Sequence, residues 1–354
     1  MNIKDLLQAA IDLSASDLHV IAGIPPTVRV EGELKPLTNY PVMTTENVNE
    51  LLKETLSSEQ YARISVDKEI DLSYPFSEKA RFRVNAYMQK GAFALEFRKI
   101  PLEIPTIDFL NLPKVIHSLT SLKQGLVLVT GPTGHGKSTT IAAILNEINK
   151  NRACHIVTIE DPIEFIFRPE KAIISQREMY SDTHSWPMAL RSVLREDPDV
   201  VLVGEMRDQE TIISALTVAE TGHLVFATLH TNSASQSIDR IVGVFNEEQK
   251  GQVSLQLSNI IEAVISQRLI PAAAADQGRV VACELLFATT AVKTAIRENK
   301  THLIDGILET SAEAGMVTLE RSLADLVREG KITLDVAQNW SLRPELLSRL
   351  IRVS

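Results

Sequence analysis

Cysteine is scarce: Cys154 and Cys283 are the only two in 354 residues, far apart and in no CxxC pair. That excludes a disulfide framework, argues against a zinc cage and fits a reducing compartment. Long apolar runs are also missing. None approaches the roughly 18 residues needed to cross a bilayer, and the opening MNIKDLLQAAIDLSASD carries acids where a secretory signal is apolar. A cytoplasmic protein with only indirect membrane contact is expected. Positive charge is in deficit, since 36 Lys+Arg against 45 Asp+Glu leave −9, and aromatic residues make up 5%. A nucleic-acid binder needs a basic channel with stacking rings, so that class is disfavoured. What remains is an ordinary globular composition, 44% hydrophobic and 23% charged, long enough for two to three domains.

Residues 1–100 read as a small α+β domain. Ile3, Leu6, Leu7, Ala10 and Ile11 recur at helical spacing, Leu18 to Ile21 form a short strand, and Val28-Arg29-Val30 starts a hairpin around Gly32. Thr45 is expected to cap the next helix. Arg81 to Tyr87 and Ala92 to Arg98 alternate as half-buried antiparallel strands. The prolines between 101 and 114 predict a linker. From 115 to 288 the texture changes to continuous apolar runs separated by helical segments: Gly125 to Thr130, His155 to Ile159, Val200 to Val203 and Leu224 to Ala227. Such alternation predicts a doubly wound parallel α/β core. One more strand, Val280 to Leu286, follows the loop from Pro271 to Gly278, and 289–354 reads as a C-terminal helical region.

The strongest chemical signal is Gly131-Pro132-Thr133-Gly134-His135-Gly136-Lys137-Ser138-Thr139, which matches G-x-x-x-x-G-K-[ST] directly after a buried strand. Glycines let backbone N–H groups close around phosphates, and the following helix adds its positive end. Lys137 is expected to reach the β- and γ-phosphates of ATP, Ser138 to ligate Mg²⁺ and Thr139 to touch the α-phosphate. His135 falls at an unconstrained position of the motif.

Hydrolysis further needs a group to orient water and cations to neutralise charge. Asp199 to Val203 is an apolar strand leading through Gly204 to Glu205. Gly204 stands where P-loop enzymes usually carry Asp, so Glu205 is assigned as water-activating base with outer-shell contact to Mg²⁺. A second acidic group, Glu160-Asp161-Pro162-Ile163-Glu164, follows another buried strand and makes Glu164 a metal or water-positioning candidate. His223 and His230 bracket one strand and cannot share a metal. His230, at its carboxyl end, is placed to sense the γ-phosphate.

In this order, GPTGHGKSTT, TIEDPIEF, LREDPDVVLVGEMRD and TGHLVFATLHTNSA resemble the secretion ATPase superfamily of type II secretion and type IV pilus motors. Within it the resemblance is to the twitching-motility retraction ATPases, the PilT family. SDLHV near Ser16, RFRVN at Arg81, Gln176-Arg177-Glu178 and Ala295-Ile296-Arg297-Glu298 also fit, so nearly the whole chain is covered. The Gly-Glu ending at 204–205 is itself a family trait. The resemblance implies a homohexamer whose subunits join a PAS-like N-terminal domain to a RecA-like P-loop ATPase domain. ATP then lies between the two, with arginines closing onto its phosphates, and the matching positions are Arg81, Arg83 and Arg98. Ala295 to Glu298 corresponds to a motif tied to retraction. The implied function is ATP-driven pilin depolymerisation at the inner-membrane base of a type IV pilus, acting on a platform protein and pilin. The rival readings are an accessory retraction ATPase, an assembly or secretion ATPase, and a RecA-like nucleic-acid translocase. Met206-Arg207-Asp208 and the Ala295–Glu298 motif favour the main motor. Assembly ATPases resemble longer chains with four zinc-binding cysteines, which this sequence does not match.

Overall fold

The computed structural model describes residues 1–77, 80–100, 103–274 and 278–352. Pro101 and Leu102 of the expected linker, residues 275–277 of the expected loop and the last two residues of the helical region lie outside the described residues. The chain divides into two units: Met1–Glu103 with Asp161–Ile166, and Ile104–Glu160 with Phe167–Ser354.

The first unit opens with helix α1 (Ile3–Asp12), capped by the Asn2 side chain and burying Ile3, Leu6, Leu7 and Ala10 on one face. Strands β1 (Asp17–Ile21), β2 (Thr27–Val30) and β3 (Glu33–Pro36) follow, the last two joined by a tight turn. Glu31 and Gly32 both adopt positive φ there, which matches the twist of a two-residue hairpin. Helix α2 (Thr45–Thr55) starts one residue earlier than the sequence suggests. Its cap is Thr44, which exchanges hydrogen bonds with Asn47 in a capping box. Helix α3 (Ser58–Asp67) leads to β4 (Glu69–Ser77), β5 (Ala80–Gln89) and β6 (Ala92–Ile100). The sheet order is β3-β2-β1-β6-β5-β4, every neighbouring pair antiparallel. Alternation sends Phe82, Val84 and Ala86 into the core, where Phe82 meets Phe97 edge-to-face at 6.4 Å. Arg81 and Arg83 take the opposite face of β5. The register then aligns Arg29, Asp17, Arg98, Arg83 and Ser73 in one row across five strands.

The second unit holds a seven-stranded sheet. Its elements are β7 (Gly125–Thr130), α4 (Lys137–Asn151), β8 (His155–Glu160), β9 (Ile173–Glu178), α5 (Trp186–Val193), β10 (Val200–Val203), α6 (Gln209–Glu220) and β11 (Leu224–Leu229). Then come α7 (Ala234–Gly243), α8 (Glu247–Ile260), β12 (Ile261–Pro271), β13 (Arg279–Phe287), α9 (Thr290–Arg297) and α10 (Ile304–Thr310). Helices α11 (Leu319–Arg328), α12 (Leu334–Trp340) and α13 (Pro344–Arg352) complete the chain. The order is β13-β12-β7-β11-β10-β8-β9, parallel except for the β12–β13 hairpin. Strands β7, β10 and β11 are buried at every position, as a sheet with two covered faces requires. Each fully buried Leu, Val or Ile contributes about 1.5–3 kcal/mol.

Three boundaries differ from the sequence reading. From Ile104 on, the expected linker belongs to the second unit, and Ile107 and Leu112 within it are buried. The residues after 289 do not stand apart as a helical region. Val292, Ala295, Ile296, Ile304 and Leu308 pack in the same core as Leu126 and Val225, while Leu319, Leu323 and Leu347 pack with Ile270 and Ala282. Finally, Asp161–Ile166 groups with the first unit; Ile163 and Phe165 are buried and Glu164 is half-buried. No described helix is long and apolar enough to cross a membrane.

Candidate nucleotide site

The parallel register brings three chain segments together at the carboxyl edge of the second sheet. Thr130 of β7 pairs with Leu229 of β11, and Val203 of β10 pairs with Ala227 two residues earlier. The next residues out from the edge are therefore Gly131, His230 and the pair Gly204-Glu205. This is where an open α/β sheet holds its ligand.

The 131–136 loop has three glycines at positive φ: Gly131, Gly134 and Gly136. Helix α4 begins without a side-chain cap and without an acid in its first turn. By contrast α5, α6, α7 and α8 are each capped by a side chain, from Ser185, Asp208, Ser233 and Asn246. The amino end of α4 thus carries no competing side-chain cap, which suits phosphate binding. Strand β12 braces the loop from behind. A Cβ on Gly131 would lie 2.3 Å from the Gln267 carbonyl oxygen, and Gln267 Nε2 donates to the His135 carbonyl at 2.7 Å. With φ at +140° and backbone in the way, Gly131→Ala is expected to cost about 1–3 kcal/mol of stability, read by denaturant unfolding.

Lys137 is buried, and its Nζ donates to the carbonyls of Gly131 at 2.8 Å and Pro132 at 3.0 Å. The same ammonium lies 3.3 Å from His230 Nδ1, as does Thr133 Oγ1. On the other side of the ring, His230 Nε2 is 3.2 Å from Glu205 Oε1. One tautomer satisfies both contacts: Nε2–H donates to the carboxylate while Nδ1 accepts from Lys137 and Thr133. Three residues singled out from separate stretches of sequence thus form one continuous chain, Lys137–His230–Glu205. Glu205 also carries an ion pair with Arg207 at 2.7 Å. Burial alone would raise the Glu205 carboxyl. Arg207, with help from His230, outweighs it and holds Glu205 below its ordinary value, so the carboxylate is ionised.

Gly204 has a steric reason. A Cβ there would sit 3.0 Å from the Ile159 carbonyl oxygen and 3.2 Å from Glu160 Cα and the Trp186 ring, tighter than ordinary contact, so an aspartate would require β8 or Trp186 to shift by a few tenths of an ångström. The Gly204 carbonyl accepts from the Thr228 hydroxyl, and Met206 N–H bonds to the Thr228 carbonyl at 3.2 Å, which locks the β10 exit beside β11.

His223 lies at the opposite end of β11, as expected, with Nδ1 near the Val218 carbonyl at 3.0 Å. Glu164 lies in the first unit with the three arginines. There Arg98 Nε binds Asp17 at 2.8 Å and Arg98 Nη2 lies 3.4 Å from Glu96, Arg83 is 3.8 Å from Asp71, and Arg81 bonds the Ser73 hydroxyl. Ser138 and Thr139 occupy the first turn of α4. Of the Ala295–Glu298 motif, Ala295 and Ile296 are buried, while Arg297 and Glu298 face outward and Glu298 pairs with Lys300 at 2.9 Å.

His135 is not free, contrary to the motif. Its Nδ1 accepts the Leu269 N–H at 3.0 Å, and its ring packs on Trp340 at 5.8 Å. Burial, then Arg279, Arg268 and Lys137, hold it below the ordinary histidine value. No local signal in the sequence marks these partners.

The family model for the type II/IV secretion system protein matches residues 1–338. The chain belongs to that family. Among its relatives, the type IV pilus retraction ATPase PilT of Pseudomonas aeruginosa is 44% identical over 98% of this chain and 99% of its own length. A twitching motility protein of Neisseria gonorrhoeae is 43% identical over 98% and 92%. The crystal structure of the pilus retraction motor PilT with bound ADP superposes with a TM-score of 0.91 at 44% identity, covering 99% of both chains. At the carboxyl edge of the second sheet, the chain thus places the glycine loop, the uncapped α4 and the ionised Glu205 close together.

Proposed function

We propose that this chain is an ATP-hydrolysing motor subunit that works as a homohexamer to power retraction of a type IV pilus. It acts in the cytoplasm at the inner-membrane base of the machine, on a platform protein and the pilins. The observation that carries this reading is the Lys137–His230–Glu205 chain at the mouth of an uncapped helix. Nearly full-length likeness to retraction ATPases supplies the biological direction.

In this reading the N–H groups of Gly131 to Gly136 and of early α4 cradle the phosphates. Lys137 leaves the Gly131 and Pro132 carbonyls for the β- and γ-phosphates, and Thr139 meets the α-phosphate. That exchange alters the contact at His230 Nδ1, so His230 senses the γ-phosphate and passes its state to Glu205. A carboxylate held below its ordinary value stays ionised and so accepts a hydrogen bond from water, while being a weak base. Glu205 therefore orients the attacking water and takes its proton late.

Mg²⁺ fits the donors present. An ion of this kind is commonly held by one or two protein oxygens together with the substrate's phosphates. The Ser138 hydroxyl would hold it directly, with Glu205 and Glu164 as partners through water. Bound there, it would neutralise phosphate charge.

Arg81, Arg83 and Arg98 are the positions proposed to add positive charge in the transition state. They differ in what must be given up. Arg98 is tied to the nearly buried Asp17, whereas the Arg83–Asp71 pair is long and about 40% exposed on both sides, so Arg83 costs less to redirect than Arg98. His223 serves as a local cap for the end of α6, and Ala295–Glu298 as the motif through which the second unit serves retraction.

Deletion of the gene from a piliated bacterium that carries it tests the direction of the motor. Extra surface pili with lost twitching is the expected phenotype. Bald cells would assign assembly instead.

A further inference from the structure

The nucleotide loop is braced by a turn far away in sequence. Trp340 ends α12 and Ser341 to Arg343 link it to α13, and the match to the family model ends just before them, at 338. The turn is anchored by a fully buried carboxylate, Glu320. Its Oε1 accepts the N–H groups of Leu342 at 3.1 Å and Arg343 at 2.9 Å and the Ser341 hydroxyl at 3.2 Å. Its Oε2 takes Arg343 Nε at 3.1 Å and Nη2 at 2.9 Å. A buried carboxylate with this many donors is rigidly held, since losing any of them leaves charge stranded in a poor solvent.

What the anchored turn presents is Trp340. Its carbonyl accepts from Arg268 Nη1 at 3.1 Å, and its indole packs on the His135 ring at the crest of the phosphate loop. His135 is in turn fixed at both ends, by Leu269 N–H on Nδ1 and by Gln267 on its carbonyl. We propose that Trp340 is a positioning residue for nucleotide binding: through His135 it holds the phosphate loop in the open-cradle shape that ATP and ADP require. The Leu269 N–H on Nδ1 requires that nitrogen to carry no proton, and burial, then Arg279, Arg268 and Lys137, oppose protonation of the ring. Trp340 meets the site through the His135 ring and Arg268, so it acts on binding ahead of chemistry.

The inference rests on the nucleotide reading above, and the test separates the two. Affinity for a fluorescent ADP analogue and the KM and kcat for ATP are measured for the wild type, Trp340→Ala, Trp340→Phe, His135→Asn and the double variant Trp340→Ala/His135→Asn. An aromatic contact of about 0.5–1.5 kcal/mol predicts that Trp340→Ala weakens ADP binding and raises KM about two- to twelvefold, with kcat nearly unchanged. Trp340→Phe restores most of this. His135→Asn, which keeps an acceptor for Leu269 but loses the ring, shifts KM the same way, and the double variant is no worse than either single one. Should Trp340→Ala fail to fold, Trp340→Phe and His135→Asn still decide: wild-type affinity and KM in His135→Asn overturn the proposal. So does a folded Trp340→Ala with unchanged affinity, or effects that simply add. A wild type that binds no ADP analogue overturns the nucleotide reading itself.

Discussion

Glu205→Gln is expected to bind ATP with near wild-type affinity and to hydrolyse it about 100- to 10,000-fold more slowly, the range lost when a positioned base is removed. The substitution keeps the size of the side chain and one oxygen for the His230 Nε2–H at 3.2 Å. What disappears is the negative charge that aligns water and receives its proton. Single-turnover phosphate release alongside binding of a fluorescent ATP analogue reads both quantities. Wild-type turnover would remove Glu205 from the chemistry. The pH profile adds a second check with a definite sign. Arg207 and His230 hold Glu205 below its ordinary value of 4.5 against burial, so its charge is present at any pH above that value and is lost only in stronger acid. Arg207→Ala leaves burial to dominate, and the acid limb of kcat should then move upward in pH.

The parts of the fold that were legible are those whose physics is local. Strands β7, β8, β10 and β11 are continuous apolar runs because both faces of the sheet are covered, and such runs have few alternatives. Strand β12 was not legible. It follows α8 with no glycine or proline between Ile260 and Ile261, and it carries Glu262, Ser266, Gln267 and Arg268 amid its apolar residues. Those polar residues are present because the strand serves the site: Gln267 fits under the loop and Arg268 reaches Trp340. The edge strands β4 and β9 were also missed. Pro75 and exposed Ile173 are tolerated only where one side of a strand has no neighbour.

The same division runs through the site. Lys137, His230 and Glu205 each announce themselves, since each follows an apolar strand, and the parallel register then brings them to one edge. Arg207 stood in plain view after Glu205, yet its task, keeping that carboxylate ionised in spite of burial, depends on a distance of 2.7 Å that no spacing rule supplies. His135 shows the limit most clearly. A motif treats its position as free because phosphate contact uses only the backbone there. Its constraints come from Leu269 and Trp340, more than a hundred residues downstream.

Lys137→Ala should fail at the earlier step. The ammonium is buried at the start of α4, where it neutralises two carbonyls of the loop and donates toward His230. With phosphate bound, each charge-assisted hydrogen bond it makes is worth about 1.5–3 kcal/mol, so its loss weakens ATP binding about 10- to 150-fold. Turnover falls further than binding, because charge developing on the γ-phosphate loses its nearest fixed cation. His230 Nδ1 also loses its donor, which frees the ring to turn away from Glu205. The two variants are therefore distinguishable in one titration: Glu205→Gln holds ATP without cleaving it, and Lys137→Ala does neither. Unchanged affinity in Lys137→Ala would mean that the loop binds through its backbone alone, and the chain from phosphate to Glu205 would lose its first link.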